Sequence, residues 1–356
     1  VAAVTRRLAW WLLWLAGCEP PQGLPLGSRA GDCAPCHAEI HEAWSTSRHG
    51  QSAGSPVFQA LLPHVERSWG LTSRERCVAC HQPGHGGDAS VGCVSCHGAV
   101  GNRGEFNGAL EIDLDAPLAG PSPAAHRDAH RTAPRPLLTS ASLCGTCHEV
   151  HGPGLLEEPT LTEYRASPFA AEDSCLSCHR APGPDLHRFL GVDPPWGAPP
   201  AEAARAAEES RKLWARALHM EVIYKSGKAL VRLENRGAGH AVPTGVVFLR
   251  DVWVDAFWED AAGTRFEVPR LMELGALLER GGQPVALVTD ADRVTPRGLA
   301  PGEGREVEVP GPQGARAPLR LVATLKARAI RASTMSALGL EREDAQVPEL
   351  HIATAR

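Results

Sequence analysis

The chain is poor in several features that commonly carry function. It has no excess of positive charge: 36 Lys and Arg stand against 41 Asp and Glu, a formal net charge of −5, which argues against nucleic acid as a partner. The apolar run Leu8–Ala16, with Trp10, Trp11 and Trp14, falls far short of the roughly 20 residues that cross a bilayer as a helix. No other segment is long and apolar enough to do so. Methionine is scarce, with only Met220, Met272 and Met335, and cysteine is absent after Cys178. The 30 prolines and 36 glycines, concentrated before residue 200, leave little room for long helices there. Such a segment struggles to bury a core from its own side chains.

What the first half does contain is one pattern, repeated. Cys-x-x-Cys-His occurs at Cys33–His37, Cys77–His81, Cys93–His97, Cys144–His148 and Cys175–His179. At this chain's Cys and His frequencies, one such pentad is expected by accident only ~0.015 times. Zinc ribbons and thioredoxin-like sites also use Cys-x-x-Cys, but neither requires a histidine directly after the second cysteine. The pentad suits covalent haem: two thiols add across the vinyl groups, and the histidine binds iron from one side. The thioether residues are then Cys33, Cys36, Cys77, Cys80, Cys93, Cys96, Cys144, Cys147, Cys175 and Cys178. The proximal ligands are His37, His81, His97, His148 and His179. Five haems would supply the rigid apolar core that the polypeptide lacks, and their propionates would make the assembled protein more acidic.

Ten cysteines in haem sites leave one of the eleven, Cys18. It closes Leu15-Ala16-Gly17-Cys18, which looks like a lipobox after an export signal over residues 1–17 that carries Arg6-Arg7. The arginine pair hints at twin-arginine export, but haem is normally attached to an unfolded exported chain, so general secretion fits better. Lipid on Cys18 would anchor the protein to a membrane surface without a spanning helix. A free thiol or an intermolecular disulfide is the alternative. Residues 18–30 read as a tether, 31–198 as the pentahaem region, 199–220 as a connecting helix and 221–356 as a β-domain.

After the first pentad, His37, Ile40, His41 and Trp44 recur at three- and four-residue steps, predicting a short helix with one face toward a porphyrin. The run Trp44-Ser45-Thr46-Ser47-Arg48-His49 resembles the cytochrome c554-like multihaem family, in which the pentad leads to an aromatic and then Ser-x-His. The resemblance implies that His49 is a distal ligand, and His41 stands where the family usually has tyrosine. The tandem Cys93–His97 site resembles the family's second, normally followed by a ligand histidine. Here a polar, Pro-rich insertion intervenes before His126 and His130, of which one is expected to serve. His85 is a weaker candidate. Glu163–Phe169 echoes Ala43–His49 with Phe169 in the place of the ligand, and His187-Arg188-Phe189-Leu190-Gly191 resembles the family's His-x-Phe-x-Gly element, making His187 a distal candidate.

A boundary falls at Asp193–Pro200, followed by an Ala/Glu/Arg-rich helix at Ala201–Met220. Beyond it the period becomes two, predicting strands at Val222–Tyr224, Ala229–Glu234, Val246–Trp258, Val285–Thr289, Arg305–Val309 and Leu319–Ala329. The predicted fold is thus a haem-organised, loop-rich N-terminal domain with short α-helices and an antiparallel β-sandwich-like domain after it. Gly239-His240-Ala241-Val242-Pro243-Thr244-Gly245 resembles a Gly-His-x-x-Pro-Thr-Gly turn in the β-domains of some multihaem cytochromes, which implies that His240 caps a haem of the neighbouring domain.

Irons held by two imidazoles pass electrons and offer no open position. Electron transfer outside the cytoplasm, between redox-protein donor and acceptor, is the expected function. The alternative is a reductase of a small nitrogen or sulfur oxyanion at one haem with a vacant face, although no Cys-x-x-Cys-Lys site is present. A lipid-anchored docking subunit of a redox complex is the third possibility.

Overall fold

In the computed structural model, residues 30–84, 90–120, 130–180, 183–191, 196, 198–225, 228–340 and 350–355 are described. The predicted signal, Cys18 and the tether up to residue 29, His85, His126, and residues 193–195 and 197 of the boundary lie outside them.

Short helices populate the first half: α1 Ala38–Ser45, α2 Pro56–Trp69, α3 Thr72–His81, α4 Cys93–His97, α5 Ala141–His148, α6 Thr160–Arg165 and α7 Leu176–His179. The exception to "short" is α2, at 14 residues. Pro56 occupies its first turn, where a missing N–H costs nothing, and Gly70 at φ 88° ends it. Its buried Val57, Leu62 and Val65 form the stripe that the proline count obscured. Between these helices the described residues form two-stranded pairings, such as Ala99–Asn102 with Leu110–Ile112.

The second half is built of sheets. The helix α8, Pro200–Ala217, runs straight into the strand Leu218–Lys225, three residues earlier than the predicted helix end. Arg265–Leu274, Asp251–Glu259, Arg320–Arg328 and Leu350–Ala355 form one antiparallel sheet in that order. Gly304–Pro310, Lys228–Asn235 and Leu218–Lys225 form a second. One core joins the two: Leu218, Val231, Leu233 and Val309 from the smaller sheet, and Val252, Val254, Leu321 and Leu325 from the larger. Trp214 of α8 closes it.

Two strand predictions need correction. Val285–Thr289 is no strand: a turn of 3-10 helix covers Val288–Asp290, and the alternation there reflects Val288 and Thr289 turning inward together. The strand predicted at Val246 begins only at Asp251, because Val246–Arg250 is taken up by consecutive turns, Leu249 N–H to Val246 O and Arg250 N–H to Val247 O.

Candidate functional site

Each pentad forms one helical turn. In Cys33–His37 the His37 N–H donates to Cys33 O at 2.9 Å, and in Cys175–His179 the same bond measures 3.0 Å. The other three end α3, coincide with α4 and end α5. Positions i, i+3 and i+4 of a helical turn share a face, so both thiols and the imidazole point the same way.

Several imidazoles have one ring nitrogen tied to a backbone carbonyl. His97 Nδ1 donates to Ala119 O at 2.7 Å, His179 Nδ1 to Leu190 O at 2.7 Å, His240 Nδ1 to Ala241 O at 2.9 Å and His81 Nδ1 to Ser52 O at 3.1 Å. A carbonyl on Nδ1 fixes the proton there and leaves the Nε2 lone pair for a metal. Burial, with smaller contributions from neighbouring imidazoles, holds His148 down at about 3 and His49 at about 4. Burial likewise takes His240 to about 4 against its bond to Ala241. All three are neutral at pH 7.

The histidines meet in pairs. Ring centroids lie 6.3 Å apart for His37 and His130, 6.2 Å for His49 and His148, 6.2 Å for His97 and His187, and 6.0 Å for His179 and His240. A ligating nitrogen sits about 2.0 Å from its metal and about 1.1 Å from its ring centre, so two imidazoles across one metal have centroids about 6.3 Å apart. Four pairs therefore match the spacing of axial ligands on opposite sides of one iron. Of the two histidines that ended the insertion, His130 is the one described, opposite His37. The remaining pentad, Cys77–His81, differs. His81 stacks on Phe58, with centroids 4.0 Å apart and planes inclined by 17°. His41, on the predicted face of α1, contacts Trp44 at 5.4 Å.

A cavity of about 1950 Å³ runs among these residues, twice the upper end of a single ligand pocket at about 1,000 Å³. Three sites converge on the fourth pentad. Cys80 lies beside Cys147, Cys144 beside Cys175, and Cys96 near Cys147. His37 and His97 both act on His187, so the first pair adjoins the third pentad. Two buried guanidinium groups line the cavity, Arg48 held to about 9 and Arg250 to about 10, chiefly by burial. Both remain charged at pH 7, and Arg250 Nε has no hydrogen-bond partner. Paired imidazoles, adjacent thiols, a large cavity and buried cations suited to propionates together fit haem, and Arg48 and Arg250 are the residues that would hold its carboxylates. Sequence spacing gave no sign of either arginine, nor of Phe58.

Residues 32–98, spanning the first three pentads, match the family model for cytochrome c554 and c-prime. Over that stretch the chain is similar to multihaem c-type cytochromes. The match supports haem c as the cofactor and electron transfer as the activity. A penta-heme cytochrome c552 from Thermochromatium tepidum has the same fold, with a TM-score of 0.69 and 16% identity over 92% of this chain and 97% of that one. The Northeast Structural Genomics Consortium target SoR45 aligns over 38% of this chain and 79% of its own, at 10% identity and a TM-score of 0.15. No curated protein matches this chain.

Proposed function

We propose that the protein conducts electrons outside the cytoplasm through five covalent haems, four of them held between two histidines. The observation that supports this best is the set of four imidazole pairs at 6.0–6.3 Å. The pairings are His37 with His130, His97 with His187, His148 with His49, and His179 with His240. Each of these four haems would supply a low-spin iron that changes oxidation state with little rearrangement. The convergence of sulfurs on Cys144 and Cys147 makes the path branched. The first site adjoins the third, and the second, third and fifth adjoin the fourth. His-His ligation places the potentials on the low side. Donor and acceptor are redox proteins, and lipid on Cys18 holds the molecule at a membrane surface. Mass measurement of the protein matured in a cytochrome-assembling host tests the haem count. A product short of five haem masses ends this reading.

A second function is supported by the stacking of Phe58 on His81. Among the described residues no imidazole is in ring contact with His81, so the haem at Cys77–His81 is the one where a small nitrogen or sulfur oxyanion would bind and be reduced. Carbon monoxide added to the ferrous protein distinguishes the two. Uptake at one haem per chain, abolished by C77S/C80S, supports a reactive second site, and no uptake leaves conduction alone.

A further inference from the structure

The first and fourth pentads are each followed by a helix ending in the same turn. Ser47 N–H donates to Trp44 O at 2.8 Å, and Ser167 N–H to Tyr164 O at 3.0 Å. Two residues on, the first segment carries His49, opposite His148, and the second carries Phe169. The imidazole opposite His179 comes instead from the β-domain, as His240.

The second segment holds that imported residue. Glu163 Oε2, from α6, accepts from the Ala241 N–H at 3.0 Å and the Thr244 Oγ1 hydroxyl at 3.0 Å. Thr160 Oγ1 lies 2.9 Å from Thr244 Oγ1. Gly239 lies flat on the turn itself: a Cβ there would meet Tyr164 Cδ2 at 2.8 Å, Ser167 Oγ at 3.1 Å and Phe169 Cβ at 3.3 Å. On the other side the turn is rigid. Asn235, fully buried, donates to His240 O at 2.9 Å and Leu299 O at 3.0 Å and accepts from Ala238 N–H at 3.1 Å. In its turn α6 is fixed to α5 by buried Glu149, which accepts from Thr162 N–H at 3.0 Å and from its hydroxyl at 2.7 Å.

We propose that α6 and Ser167–Phe169 form a socket for the Gly239–Thr244 turn, with Glu163 the positioning residue that keeps His240 on the iron of the fifth haem. The proposal rests on His240 being that iron's distal ligand. It makes ligation of one haem report the docking of one domain on the other, since bonds that orient a ligand govern its affinity.

The test uses full-length holoprotein, a ferrous–CO difference spectrum and the ferric low-spin EPR signal. H240A gains one CO-binding haem per chain over wild type. E163A gains the same haem and loses the corresponding low-spin signal. E163Q behaves as wild type, because one amide oxygen can accept both hydrogen bonds that Oε2 accepts. CO uptake in E163A equal to wild type, beside a gain in H240A, overturns the socket and leaves the ligand in place. No gain in H240A overturns the ligand and the socket with it. Should E163A fail to mature, G239A drives a methyl into Tyr164 without removing a polar group. It must then show the same gain, and wild-type behaviour there overturns the proposal.

Discussion

The two halves of the molecule are held together in different ways. Residues 218–355 bury Leu218, Val231, Leu233, Val254, Leu321 and Leu325 between two sheets, in a core made wholly of side chains. Residues 30–191 have small clusters, such as Ala141, Leu161 and Tyr164, around a cavity of about 1950 Å³. Close-packed interiors contain few voids larger than a water molecule. A cavity of this size is therefore the shape of a core supplied from outside the polypeptide. Sequence composition follows the same division, with most of the prolines and every pentad cysteine in one half and the alternating apolar strands in the other.

The largest effect should come from withholding that core. In a host without cytochrome maturation, limited proteolysis of the exported chain should degrade the region before about residue 200 and spare a fragment containing the β-sheets. A protease-resistant, haem-free N-terminal half would break the comparison. The reciprocal experiment is L233A, whose side chain is fully buried in the sheet core. Truncating a buried leucine costs about 2–5 kcal/mol. Denaturant unfolding followed by tryptophan fluorescence should shift by that much. The low-spin spectra of the haems at His37, His97 and His148 should stay as in wild type, because their pairs lie wholly in the first half. Loss of those signals would show that the halves share one core after all.

The sequence shows local structure well and long-range structure poorly, for physical reasons. A pentad folds as one helical turn through a bond four residues long, so Cys144–His148 announces itself. Its opposite imidazole, His49, arrives from a distant segment that no spacing rule connects to it. The turn resemblance around His240 was visible, but the carboxylate of Glu163 that grips it was not. Proline counting obscured α2, since Pro56 begins a helix rather than breaking one. It also obscured the strand Arg265–Leu274. There Pro269 precedes Arg270 at φ 47°, and the pairing with Asp251–Glu259 shifts register between Val268 and Met272. A bulge of this kind interrupts the two-residue period by which strands are recognised.

The smallest effect sharpens the comparison at the border between the halves, where Glu158 of the first faces Arg250 of the second across the haem cavity. Burial raises the Glu158 carboxyl from 4.5 to about 7, only partly opposed by Arg250, and the Cys77 and Cys80 sulfurs are its other polar neighbours. Its folded pKa lies above its unfolded one, so folding favours the protonated acid. Below about 4.5 the group is neutral in both states and costs nothing. As pH rises through about 7 it becomes charged in both, and the full cost of burying the charge appears. A tenfold change in proton affinity corresponds to about 1.4 kcal/mol, so this contribution is on the order of 3 kcal/mol at most. E158Q should match wild type near pH 4 and exceed it in melting temperature at pH 8, the difference growing between about 4.5 and 7. A constant difference across that range would mean that Glu158 is already ionised at pH 5, and that the border between the halves is wetter than the side-chain core behind it.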